Sequence, residues 1–139
     1  MLEFPGEVIQ HPDLGELWLP TVPVVWEQDG QMVEVEMIAD SGAFLTLLPL
    51  THGLYLGLTL QPHESVQTGQ GAGASAIPYV VRRITMRLGR YVIPVRIGWA
   101  QNDLTPPLLG RLDVFDEFHI EFRQSERRTL FRRRRRRQP

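Results

Sequence analysis

Asp40, Ser41 and Gly42 set a carboxylate, a hydroxyl and a glycine in succession between two apolar runs, Met37-Ile38-Ala39 and Phe44-Leu45. A carboxylate can take a proton from water or give one to a reacting group, provided it is held in place. A strand ending in Asp-Ser-Gly turns tightly, because glycine accepts backbone angles that a residue with a Cβ resists. Flanking buried strands would brace such a loop, a common setting for a catalytic group. The triplet alone is weak, since an Asp capping its own backbone in a plain turn gives the same letters.

Other chemistries find less support. His11, His52, His63 and His119 are scattered without metal-ligand spacing, and there is no His-Glu-x-x-His, so no metal is expected. Ser41, Ser65, Ser75 and Ser125 lack the context of a nucleophile elbow. The small-residue loop 68–76 does not end in Gly-Lys-Ser/Thr, which argues against a phosphate cradle. No cofactor is implied. The absence of cysteine excludes disulfides and thiolate metal sites.

The elements that must position Asp40 read as short strands. Twelve glycines and eleven prolines punctuate 139 residues, and no stretch keeps a 3.6-residue apolar period over three turns. Leu17-Trp18-Leu19 with Val22 to Glu27 suggests a first strand, confined by Pro20 and Pro23 to an edge or an irregular path. The turn at Gln28-Asp29-Gly30-Gln31 leads to a strand from Met32 to Ala39, where Val33, Val35 and Met37 alternate with Glu34 and Glu36. Leu45 to Leu48 is a short buried strand. Pro49 to Gly57 suits one or two helical turns with a glycine C-cap. Thr59 to Val66 is a weaker strand. Ile77 to Leu88 and Tyr91 to Trp99 form the longest hairpin, with its turn at Gly89-Arg90. Leu108-Leu109-Gly110 is a short apolar strand running into 111–118, where Leu112, Phe115 and Phe118 have helical spacing. His119 to Phe122 and Arg128 to Arg132 make a final hairpin. Trp18, Trp26 and Trp99 fall on strands and are expected in the core, or at dimer contacts where exposed.

Size points to one domain. Residues 1–126 carry seven arginines against sixteen acids, a net −9, whereas 127–139 carry eight arginines and no acid. An acidic body speaks against a nucleic-acid surface on the domain itself. The run Arg132 to Arg137 suits either a solvated extension or a contact with RNA or an anionic surface. Met1 to Gly6 lacks the features of a signal peptide, and no apolar run approaches the roughly 18 residues of a membrane span, so a cytoplasmic location is expected.

Three elements in order carry a resemblance. The pattern apolar-apolar-Ala39-Asp40-Ser41-Gly42-Ala43, then apolar-Thr46-apolar-Leu48-Pro49, resembles the active-site loop of retropepsin-like aspartic proteases. Leu108-Leu109-Gly110-Arg111 with 113–118 is similar to the family's apolar-apolar-Gly strand and the short helix after it. The glycine-rich loop 69–76 lies between them, where the family carries its flap.

The resemblance implies a mainly β, retropepsin-like closed barrel with one short C-terminal helix. It implies an aspartic endopeptidase with Asp40 catalytic, and with Ser41, Gly42 and Ala43 supporting the active-site loop. Gly69, Gln70, Gly71, Ala72 and Gly73 would form the flap over an extended polypeptide substrate. Leu108, Leu109 and Gly110 would form the structural apolar-Gly motif. The family's flap has bulkier apolar residues near its tip than Ala72, Ala74 and Ala76, a departure that bears on water exclusion and substrate preference. Such an enzyme needs two carboxylates, and the chain has one Asp-Ser-Gly, so a homodimer would supply the second Asp. The expected organisation is an N-terminal segment 1–16, a protease domain 17–132 and an arginine-rich disordered tail 133–139. Two rivals remain: a dimeric binding or assembly module of the same fold with little catalysis, and a small β-barrel that binds RNA through the arginine tail.

Overall fold

A computed structural model of the chain describes residues 1–70 and 76–135. The strands are β1 (Leu2–Phe4), β2 (Glu7–His11), β3 (Gly15–Leu19), β4 (Thr21–Gln28), β5 (Gln31–Ala39) and β6 (Thr46–Leu48). One short helix, α1 (Leu50–Tyr55), follows. Then come β7 (Gln67–Gln70), β8 (Ala76–Leu88), β9 (Tyr91–Ala100), β10 (Leu108–Leu109), β11 (Phe118–Arg123), a 3₁₀ turn (Gln124–Glu126) and β12 (Arg128–Arg133). No helix among the described residues is long and apolar enough to cross a membrane.

Six strands close on themselves in the order β4-β5-β10-β6-β9-β8, with β8 returning to β4 through Val25↔Arg87 to Glu27↔Thr85. The result is a closed barrel with β7 attached outside it, along β8. The alternation expected in β5 is met: Val35 and Met37 are buried, while Glu34 and Glu36 face water. Val22, Val24 and Trp26 of β4, Ile84 and Met86 of β8, and Val95, Ile97 and Trp99 of β9 complete the interior. The β4–β5 turn matches its residues: Asp29 (φ 47°) and Gly30 (φ 82°) are both left-handed, as a type I′ hairpin loop requires.

Several local expectations change. The stretch 17–27 is two strands broken at Pro20. β3 pairs only with β2, in a separate hairpin. β4 enters the barrel, and Pro23 lies where β4 has a strand neighbour on one side only, which spares a ladder bond. No strand forms at 59–66: Pro62 sits in a turn closed by the Glu64 N–H on Gln61 O and the Gln61 N–H on the Glu64 carboxylate. The helix of the structure is α1, not a C-terminal one. Residues 111–117 are successive turns, with Phe115 N–H on Arg111 O and Phe118 N–H on Val114 O. Asp113 stands between them at φ 66°, a left-handed angle that interrupts a regular helix.

The first sixteen residues carry β1 and β2. β1 pairs with β12 in a second sheet, β1-β12-β11, where the Phe4 ring meets Phe131 edge-on at 5.5 Å. Arg133 lies within β12, and Arg133 and Arg134 both pair with Glu117 (2.9 and 3.3 Å). Residues 136–139, the end of the expected tail, lie outside the described residues.

Candidate active site

β10 lies between β5 and β6, two barrel strands that run in opposite directions. It runs parallel to β5 (Leu109↔Ala39) and antiparallel to β6 (Leu108↔Leu47). The loop that joins β5 to β6 is the one that carries Asp40. It is therefore pinned from both ends: Asp40 N–H donates to Leu109 O (3.0 Å), Arg111 N–H to Ala43 O (2.9 Å) and Leu112 N–H to Phe44 O (3.0 Å). Gly110 N–H donates to the buried Thr46 Oγ1 (2.9 Å).

Gly110 is required by space. A Cβ there would lie 2.5 Å from the carbonyl carbon of Leu45 and 2.7 Å from Thr46 N, both backbone atoms. Leu108, Leu109 and Gly110 thus sit directly behind the loop.

Within the loop, Asp40 Oδ1 accepts the Gly42 N–H at 2.8 Å, and Asp40 O accepts the Ala43 N–H at 3.2 Å. Gly42 does not adopt a left-handed angle, so the reason given from sequence is replaced by another: a Cβ at 42 would stand 3.2 Å from Asp40 Oδ1. The glycine leaves room for the carboxylate. Asp40 is half-buried and Ser41 is exposed. The Ser41 hydroxyl has no hydrogen-bond partner among the described residues.

A cleft of about 760 Å³ opens over Asp40. Gly42 and Ala43 line it beside the carboxylate. Leu45, Leu47, Leu108 and Leu112 form an apolar floor, and Gln67, Gly69, Ile77, Tyr79 and Val81 form a wall. Gly69 pairs with Ile77 and Gln70 with Ala76, so β7 and the start of β8 make the hairpin where a flap was expected. Its tip, with Gly71, Ala72 and Gly73, lies outside the described residues. Phe44 also lines the cleft and is 65% exposed, a large ring presented to solvent beside the carboxylate.

Sequence reasoning missed Phe44, Tyr79, Arg96 and Leu112 as lining residues. The period-2 pattern Ile77, Tyr79, Val81 was the available signal for the wall. Arg96 is the one cation among the described residues of the cleft, and Asp113 holds it through two contacts of 2.9 and 2.8 Å.

Among the described residues, Asp40 is the one acid lining the cleft. Asp113 is engaged elsewhere: the Arg96 guanidinium holds its carboxyl below the usual range, so it stays charged. Asp116 Oδ2 accepts the Asp113 N–H at 2.9 Å. One carboxylate can act as general base or as general acid at a given moment. No group of three His, Asp or Glu among the described residues could hold a metal ion.

A family model described as aspartyl protease matches residues 22–111, from β4 through the Leu-Leu-Gly segment. Among solved structures, a retropepsin-like aspartic protease from Rickettsia conorii is similar over 93% of this chain and 98% of its own, with TM-score 0.62 and 15% identity. EIAV protease complexed with the inhibitor HBY-793 is similar over 74% of this chain and 88% of its own, with TM-score 0.50 and 18% identity. These likenesses show a retropepsin-like fold. No curated protein matches the sequence.

Proposed function

The chain belongs to the aspartyl protease family, and from that premise we propose that it is an endopeptidase whose active site is completed by a second copy of itself. One observation carries the reading. Asp40 is anchored through its backbone beside an apolar cleft, and among the described residues no other acid lines that cleft. A C2 pair would bring Asp40 of each copy to the axis.

Two carboxylates at hydrogen-bond distance cannot both ionise, so the pair shares one proton. The ionised member takes a proton from a water, whose oxygen attacks the peptide carbonyl carbon. The protonated member donates to the carbonyl oxygen as charge develops there. Collapse of the tetrahedral species breaks the C–N bond, and a proton passes from a carboxyl to the leaving amine. Ser41, exposed beside the axis, would bond across to the second copy and brace both loops. The β7–β8 hairpin would cover an extended substrate and pair with it as an added strand. The fold supplies no separate reason to prefer a non-catalytic module.

Purified protein is expected to cut an unfolded, apolar-rich polypeptide at acidic to neutral pH, and Asp40→Asn to abolish cleavage. Cleavage retained by that variant sinks the mechanism. Sedimentation showing only monomer at micromolar concentration, with activity intact, sinks the shared site.

A further inference from the structure

A second cavity, of about 630 Å³, adjoins the cleft on the far side of the Arg96–Asp113 ion pair. Arg83, Arg133 and Arg134 line it opposite Asp113, Asp116 and Glu117. The two spaces share one sheet face. On β8, Val81 lines the cleft and Arg83 the groove. On β9, Arg96 lines the cleft and Pro94 the groove. Residues two apart on a strand point the same way, about 7 Å along. An extended peptide leaving the cleft along this face would enter the groove within two or three residues.

The groove has a surplus of donors. Arg133 and Arg134 share the single carboxylate of Glu117. Asp113 is taken by Arg96, and Asp116 is engaged by a backbone N–H. Arg83 is exposed and has no ion pair or hydrogen bond among the described residues. With Arg96 included, four guanidinium groups face three carboxylates. Arg133 is also fixed in place, its guanidinium 5.5 Å from the centre of the Tyr91 ring and 5.7 Å from that of Phe118. A planar guanidinium with free N–H groups is matched best by a carboxylate.

We propose that this groove extends the substrate site and holds an acidic side chain of the polypeptide a few residues from the scissile bond, with Arg83 as its principal contact. The proposal rests on the protease reading for what enters the cleft, and the test separates the two. Peptides with one apolar cleavage block and a single Glu walked outward, residue by residue, are compared with Gln at the same places. With the wild-type chain, Glu at one position is expected to raise kcat/KM about two- to fivefold, mainly through KM, as suits an exposed ion pair. Arg83→Glu is expected to reverse the preference to Lys at that position. A flat profile in the wild type, with cleavage intact, overturns the groove and leaves the protease reading standing. If no peptide is cut, anisotropy titration of the same peptides decides: binding that depends on both Glu and Arg83 keeps the groove, and binding indifferent to either removes it. Tighter, Arg83-dependent binding of a homopolymeric RNA that displaces the peptide also overturns it.

Discussion

Gly110→Ala separates two physical effects of opposite sign. Gly110 has an ordinary backbone angle, so an alanine there restricts the unfolded chain and on that ground alone would stabilise by about 0.4–1 kcal/mol. Against this stands the crossing of β10 with β6. The new Cβ would meet the Leu45 carbonyl carbon at 2.5 Å, where ordinary contact begins at 3.4 Å, so backbone must move by about 0.9 Å. Overpacking of this kind costs about 1–3 kcal/mol. The same movement strains two bonds, Gly110 N–H to Thr46 Oγ1 (2.9 Å) and Asp40 N–H to Leu109 O (3.0 Å), at about 1 kcal/mol each. The net expectation is a loss of about 2–4 kcal/mol, from a total of about 5–15 for such a domain. Urea unfolding gives the difference directly, and the melting temperature should fall by about 5–15 °C. Cleavage measured where the variant is still folded should fall as well, because Asp40 hangs from the displaced strand. Thr46→Val should cost less, about 1–3 kcal/mol, since it orphans one N–H without moving backbone. A Gly110→Ala protein as stable as the parent, or more so, refutes the close crossing as the reason for this glycine.

Two further outcomes are expected. In α1, Gly53→Ala would ordinarily favour the helix by about 1 kcal/mol. Here the Cβ would run into the Trp99 indole, whose Nε1–H donates to Leu50 O at 3.2 Å, so thermal unfolding should show destabilisation of about 1–3 kcal/mol. The pairing of Glu64 with Arg82, chiefly a side-chain hydrogen bond, lowers the Glu64 carboxyl from 4.5 to about 2. A depressed folded value stabilises above pH 4.5, and the contribution disappears as pH falls towards 2. Melting curves of wild type and Glu64→Gln should therefore differ near neutrality and converge between pH 4.5 and 2. A constant gap over that range contradicts the assignment.

The barrel strands were legible where period-2 patterns met turn residues, as in β5 and the β8–β9 hairpin. Gly53 argued against a helix from sequence, because its reason is a tryptophan 46 positions later that needs the space. The helical spacing of 111–118 misled for a similar cause: Asp113 turns left-handed to reach Arg96 of β9, a contact invisible locally. The N-terminal strand β1 was unreadable because its partner, β12, is at the other end of the chain. In the site, Asp40 and the Leu-Leu-Gly segment stood out through their order and residue types. The groove did not, since its arginines come from β8 and β12, and each alone reads as a wet face.

The threading of β10 through the barrel also sets an order of events in time. Leu109 meets Ala39, 70 positions earlier in the chain, and long-range pairings of this kind close late, after local hairpins have formed. During synthesis the β4–β5 ribbon is complete long before residue 108 leaves the ribosome. Until it does, the loop of Asp40 lacks the hydrogen bonds that it shares with Leu109, Arg111 and Leu112.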